Sequence, residues 1–457
     1  MAGHPLLRAI ACGLLLSSWL VGCARPASQQ EPLAELVERL LPLPGARGAN
    51  HAPLQQELTR LAQHRQLPEQ LPAIDADAGA PYEPFIKAYP SLTRAAVRQE
   101  VNALWPQEQL RLEPGALEKV RELVTQQGAA RHRFAVAVAT LSGRPQLRPA
   151  QSLLTDDEWC EALTTGCRVE ALAAADILAE QQPAEAIRPL AQLFLVSRQL
   201  AVERNLNARL AAAAIRADAC QVLSAIANHR ATEASTLEAL KKVLVEQTSD
   251  WPSDEQALVG EQAQGLLLFE LVRAGRFEGL IDPQTRQDWD RRGIARTTFV
   301  AAQRQLDADE HFYLVAMKQS LAVANRPFFE RQLALQALET ELESRYGSSD
   351  YPLVSGQLLL GRLAEVHRAL AEDRSRCEAW LIALSSASNS SAVNTSPPAL
   401  PLCPLTGQPY QLTPDREKVV VTGCPTRGGE RFEVHRPGAI QARRRSAGFD
   451  LTPSQIR

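Results

Sequence analysis

Apolar residues recur every third or fourth position through most of this chain, a spacing that turns one face of successive helices toward a core. Leu190, Phe194 and Ala201 form one stripe, Leu193, Val196 and Leu200 a second, and Ile215, Ala219, Val222 and Ile226 a third. A helix that is apolar on several faces must be surrounded by other helices, so residues 183–229 are expected at the centre of the protein. Further stripes follow at Leu237, Leu240 and Leu244, at Leu258, Phe269 and Val272, at Leu335, Leu338 and Leu342, and at Leu359, Leu363, Val366 and Leu370. Proline and glycine at Pro252, Gly275, Gly279, Pro283, Pro327 and Pro352 punctuate them, as helix breakers do. Upstream, helices are expected over 32–41, 54–66, 91–104 and 114–127, and Thr155 with Glu158 resembles a capping box opening the next one. Residues 134–138 read as a strand, with a buried helical turn as the alternative. No convincing internal repeat is present, which disfavours a regular solenoid.

The pattern changes near the carboxyl terminus. Residues 385–398 are a Ser/Asn/Pro tract with little to bury, which reads as a linker. Beyond it, 408–413 and 418–422 read as two strands around a turn. The expected fold is therefore mainly α, a multi-helix bundle or irregular helical array with a small C-terminal β-hairpin module. In order, the chain divides into a leader (1–22), a tether with short helices (23–90), a helical region (91–384), a linker (385–400), the hairpin module (401–435) and a basic disordered tail (436–457) carrying Arg443, Arg444 and Arg445.

The chain has 457 residues and a net charge of −3, so no whole-protein field directs it to nucleic acid. Arginine far outnumbers lysine, a bias that a GC-rich genome produces without selection for function. The leader changes the picture more. Arg8 precedes an apolar run of about 13 residues, too short to span a bilayer and suited to the apolar core of a signal peptide. The run ends in Leu20-Val21-Gly22-Cys23, which resembles the lipobox of bacterial lipoproteins. That resemblance implies acylation of the Cys23 thiol and cleavage before it, leaving the mature chain anchored on the extracytoplasmic face of a membrane. An ordinary secretory signal is the alternative. Ala24 follows where many inner-membrane lipoproteins carry aspartate, which favours the periplasmic face of an outer membrane. No later stretch reads as long and apolar enough to cross a membrane.

The remaining chemistry is sparse. Cys160 and Cys167 fall on one helix about 10 Å apart, too far to bridge unless residues 164–166 break it. Cys220 and Cys377 continue apolar stripes and read as small core hydrophobes. Cys403 and Cys424 flank the two strands, where a disulfide would staple a module too small to build much core; free thiols are the alternative. With His435 they fall short of the four ligands of a structural zinc site. Asp307, Asp309, Glu310 and His311 offer metal ligands or an acid/base group, although Asp307 and Asp309 suit the first turn of a helix. Arg131, His132 and Arg133 could hold an anion or form a solvated basic turn. No zinc-protease, nucleophile-elbow, Walker or Ser-x-x-Lys motif is found, and no metal or cofactor is expected.

The segment Cys403-Pro404-Leu405-Thr406-Gly407-Gln408-Pro409-Tyr410 resembles a C-terminal motif of uncharacterised planctomycete envelope proteins. It precedes a short strand pair there and follows a long helical region. This chain has cysteine where aspartate is usual, and it adds Cys424-Pro425. The Cys-Pro…Cys-Pro arrangement is also similar to the C-terminal hairpin of type II secretion pseudopilins, whose N-terminal methylation signal this chain lacks. Neither resemblance implies a reaction. The leading expectation is a non-enzymatic helical scaffold or binding module of the cell envelope, with an envelope protein as partner. An envelope hydrolase without a recognisable motif, or an accessory of a secretion or pilus-like system, is the alternative. Replacing Cys23→Ser should abolish fatty-acid labelling of the protein in its native host; undiminished labelling would remove the lipoprotein reading.

Overall fold

A computed structural model describes residues 52–63, 83–106, 110, 112–140, 156–203, 206–276, 281, 283–293, 295–388, 400–415, 417–423 and 432–436. Helices dominate it. The chain runs through α1 (Ala52–Gln63), α2 (Glu83–Ala88), a 3-10 turn (Pro90–Thr93), α3 (Ala95–Leu104), α4 (Pro114–Gln126), α5 (Gly128–Ala139), α6 (Asp156–Ala179), α7 (Ile187–Ala201) and α8 (Leu206–Ala227). It continues through α9 (Ala234–Thr248), α10 (Asp254–Arg273), α11 (Pro283–Arg291), α12 (Ala295–Arg304), α13 (Leu306–Val323), α14 (Phe328–Arg345), a π-helical turn (Ser355–Leu359) and α15 (Leu363–Ser388). The strands β1 (Gln411–Pro414), β2 (Lys418–Thr422) and β3 (Phe432–His435) close the order.

Two long helices, α8 and α15, form the axis. The first packs on α6, α7 and α15, and the second on α8, α9, α14 and the sheet. All four residues of the stripe Ile215, Ala219, Val222 and Ile226 are fully buried, as are Leu190, Leu193, Val196 and Leu200. Full burial of the Leu, Ile and Val side chains contributes roughly 1.5–3 kcal/mol each, so the stripes decide which elements meet. Against the sequence expectation, α8 is long and apolar enough to cross a membrane. However, 67% of its most apolar stretch is covered by the rest of the protein, and it carries buried Arg209, Arg216 and Asp218. Membrane-like hydropathy here reflects a core helix touched on several sides.

Local chemistry sets the helix ends. Ser253 caps α10 by accepting from the Glu255 amide at 3.2 Å, with Asp254 and Glu255 in the first turn. At the other end Gly275 has φ 78°. That left-handed turn lets Arg276 N reach Leu271 O and Gly275 N reach Val272 O, both at 2.9 Å, satisfying two terminal carbonyls.

Residues 134–138, read as a strand, lie inside α5. Phe134, Ala137 and Val138 are buried while Val136 is 53% exposed, a helical spacing. The Phe134 ring packs edge-on against Phe85 and beside Tyr89, so tertiary contacts settle the ambiguity that β-branched residues created. The polar tract also starts later than its composition implied, because α15 continues to Ser388 with Ala387 buried.

The hairpin is a three-stranded antiparallel sheet in the order β1-β2-β3. Gln411 pairs with Thr422, Thr413 with Val420, and Val419 with Val434. Val419, Val421, Phe432 and Val434 point inward and are buried, and the Phe432 ring meets Trp380 of α15 edge-on at 5.6 Å. The sheet therefore belongs to the same continuous core as the helices. Asn228, just past α8, donates to Glu433 O at 2.8 Å and accepts from His435 N at 3.1 Å. It thus covers the backbone edge of β3, which would otherwise be open to pairing.

The Cys403–Tyr410 motif forms the turn that seats the sheet. Cys403 N bonds Gln408 O and Gly407 N bonds Cys403 O, both at 2.8 Å. Gly407 has φ 70°, and a Cβ there would lie 2.9 Å from the Phe329 ring. Tyr410 Oη lies 3.2 Å from both Ser375 O and Glu378 Oε2 on α15. Gly407→Ala should therefore cost roughly 1–3 kcal/mol and accelerate amide exchange in β1–β3. Adding Phe329→Ala should recover only the part due to contact; wild-type exchange in the single variant would refute this account of the turn.

Candidate functional site

Among the described residues, charged side chains bear on a candidate site in a buried network, in a set of intermediate ion pairs and in an open groove. The network ties α8 to three partners. Arg216 donates to Asp373 Oδ2 from Nε at 2.8 Å and from Nη2 at 2.5 Å, and its guanidinium lies 4.7 Å over the Trp251 ring. The two side chains are 2% and 1% exposed. Burial opposes the Arg216 charge, but the Asp373 carboxylate more than offsets it, so the guanidinium is held charged. Burial pushes Asp373 above the usual carboxylate range, with Arg216 pulling it back.

Two turns earlier on α8, Arg209 donates to Ser253 O at 2.7 Å and lies 3.4 Å from Asp254 Oδ1. Burial lowers its pKa to about 10, against the pull of Asp254. Asp254 also holds Arg331 of α14 at 2.7 Å, and Arg331 Nη1 lies 2.9 Å from His367 Nδ1 of α15. Since a guanidinium only donates, His367 Nδ1 accepts and the neutral ring carries its proton on Nε2. Burial, then the Arg331 charge, depresses the His367 pKa to about 4.

The acidic cluster singled out from the sequence divides in the structure. Asp307 and Asp309 begin α13. Asp307 and fully buried Glu310 converge on Arg273 at 2.6 and 2.5 Å, and Arg273 also reaches Glu270 at 2.7 Å. Asp309 turns away and accepts from Val354 N at 2.6 Å and Ser355 N at 3.0 Å, capping the π-helical turn. Burial raises Asp309 to about 6 despite those bonds. His311 is half-buried. Among the described residues, no group of three or more His, Cys, Asp or Glu is placed to hold a metal.

Arg131, His132 and Arg133 lie in α5 rather than in a turn. Arg131 pairs with buried Glu170 at 3.2 Å, and Glu170 also accepts from Tyr89 Oη at 2.5 Å. Burial and Glu170 push the Tyr89 phenol far above its ordinary pKa, which keeps it a donor. Arg133 donates to Ala88 O at 3.1 Å. Cys160 and Cys167 sit on unbroken α6, about 10 Å apart by helix rise. Cys220 and Cys377 are buried in packed helices, and Cys403 is buried with Sγ 3.4 Å from Ser375 Oγ. His435 Nε2 lies 3.6 Å from Glu433 Oε1. Cys23, Thr155, Cys424 and the Arg443–Arg445 run lie outside the described residues.

The groove, of about 630 Å³, lies between α3, α6 and α8. Leu210, Ala211 and Ala214 of α8 line it with apolar groups, and Gln99, Asn102 and Asn207 add carboxamides. Arg168 donates to Asp218 Oδ2 at 2.9 Å and to Asn102 Oδ1 at 2.7 Å. Arg98 pairs with Glu161 at 3.2 Å and donates to Leu92 O at 3.0 Å. The two guanidiniums are therefore balanced locally, leaving a groove of mixed apolar and polar lining that is not strongly charged.

Sequence reasoning missed both the network and the groove. One signal was present: Arg209 and Arg216 occupy the same buried stripe of α8 as Ala212, Ala213, Cys220 and Leu223. A charge in an apolar stripe demands a partner. The groove residues come from three separate helices and share no local pattern. Comparison with family models, with curated proteins and with solved structures finds no match to this chain.

The network makes a prediction for pH. His367 binds a proton more weakly in the fold, at about 4, than at its ordinary value of 6.5. Its contribution to stability is thus complete above pH 6.5 and is lost as pH falls toward 4, by up to about 3 kcal/mol. Asp309 acts in the opposite sense, since its raised pKa favours the fold more at pH 4 than at pH 6. Comparison of wild type with His367→Gln isolates the histidine. The wild type should lose urea stability relative to the variant between pH 7 and pH 4; parallel curves would exclude His367 as the cause.

Proposed function

We propose that this chain is an extracytoplasmic lipoprotein, held to a membrane through Cys23, whose helical body is a non-enzymatic scaffold or binding module of the cell envelope. The observation that carries the binding reading is the lining of the groove between α3, α6 and α8. Gln99, Asn102 and Asn207 bring carboxamides, groups that can both donate and accept, beside the apolar Leu210, Ala211 and Ala214. The Arg98–Glu161 and Arg168–Asp218 pairs balance the charge at its walls. Such a surface suits the backbone of an extended segment of an envelope protein, which presents alternating N–H and C=O groups and little charge. A disulfide between Cys403 and Cys424 would belong to the same reading, because an extracytoplasmic compartment permits it.

The test is recovery of crosslinked partners from native membranes with the lipidated protein and with Ala214→Trp. Ala214 is half-buried and lines the groove, so an indole there fills the space while the lipidation sequence is left unchanged. Recovery should fall about tenfold, equivalent to about 1.4 kcal/mol of binding. Equal recovery with a correctly folded variant would overturn the groove as the binding site.

A further inference from the structure

The hairpin of α11 and α12 carries a concentration of positive charge that no feature above uses. Residues 283–304 contain five arginines against two aspartates, a net charge of +3, in a chain whose total is −3. Arg286, Arg291, Arg292, Arg296 and Arg304 are all exposed. Asp288 engages Arg291 at 3.9 Å on its own helix and Arg292 just past it at 3.0 Å, and both acidic residues, Asp288 and Asp290, lie on α11. On α12 the order Arg296, Val300, Arg304 repeats every fourth residue and therefore shares one face. Val300 is 41% exposed between the two arginines. Trp289 and Phe299, both half-buried, face each other between the helices at 6.3 Å.

Cations flanking an exposed apolar side chain, with a tryptophan nearby, match the chemistry of a headgroup layer. Arginine meets phosphate there, and amphipathic rings settle at the same depth. We propose that this hairpin faces the membrane and binds the anionic headgroups of phospholipids. The inference rests on the reading of Cys23 as a lipid anchor, which would hold the body close to that surface. Each arginine brought to an anionic surface strengthens association about fivefold. The hairpin would thereby orient a body that the anchor alone leaves free to turn.

The test uses the lipidated full chain with two kinds of vesicle, pure phosphatidylcholine and phosphatidylcholine mixed with phosphatidylglycerol. Flotation with the neutral vesicles reports the anchor, and amide exchange across 283–304 reports the hairpin. We expect flotation with both, and exchange in 283–304 slowed about tenfold only where phosphatidylglycerol is present. The slowing should disappear in Arg296→Gln/Arg304→Gln and at about 1 M salt. Identical exchange on both vesicles, with flotation intact, overturns the hairpin proposal and leaves the anchor standing. Failure to float with phosphatidylcholine overturns the anchor; slowed exchange on phosphatidylglycerol then still supports the hairpin surface, and its absence overturns that as well. Equal slowing by soluble polyglutamate would assign the surface to acidic polymers and overturn the lipid assignment.

Discussion

The ion pair between Arg216 and Asp373 is the constraint around which the remaining structure is arranged. It joins the two helices that touch most other elements, at a depth where neither partner meets water. Removing an ion from water costs several kcal/mol even after relaxation, so such a pair adds little net stability over an apolar contact. Losing one partner is different, because it strands the other charge at a cost of about 3–5 kcal/mol. We read the contribution of the pair as register. Apolar stripes let α8 and α15 slide or rotate at small cost, whereas Arg216 finds its carboxylate in one alignment only. The Trp251 face above the guanidinium narrows the choice further. Arg209, Asp254, Arg331 and His367 repeat the device where α8, α10, α14 and α15 converge.

This arrangement separates arginines by what they do. Those of the network are buried and matched by carboxylates, those of the groove are matched at its walls, and those of α12 are exposed. An arginine-rich composition explains their number without explaining their placement. Placement follows burial: a guanidinium inside the protein needs an acceptor, while one at the surface is available to a partner.

Much of the architecture was legible from spacing alone. The stripes at Leu190, Leu193, Ile215 and Leu240 all became core because three- and four-residue periodicity is a direct image of helix geometry. The boundaries of β2 were equally plain, since Val419 and Val421 alternate with partly exposed Lys418 and Val420. The third strand, Phe432–His435, was not legible. It is short, and its apolar residues acquire meaning only against Trp380, far away in sequence. Residues 134–138 misled for the related reason that Val136 and Val138 favour strands locally, while Phe134 is claimed by Phe85 and Tyr89. Of the candidate sites, the acidic group at 307–311 was visible as charge, but its division between Arg273 and the π-helical turn depends on partners from other helices. The groove left no trace in the sequence, because Asn102, Arg168 and Asn207 meet only after three helices have packed.

The place of the sheet in the core also fixes an order of events. Trp380 and the inner face of α15 are covered by β3, whose residues follow α15 in the chain, with the Phe432 ring against Trp380. Synthesis delivers the amino terminus first, so α15 emerges with that face bare and stays so until β3 follows. Asn228, just past α8, likewise meets its backbone partner Glu433 only once β3 is present. Until β3 is in place, the apolar face of α15 around Trp380 lacks its cover and is open to contact with other chains.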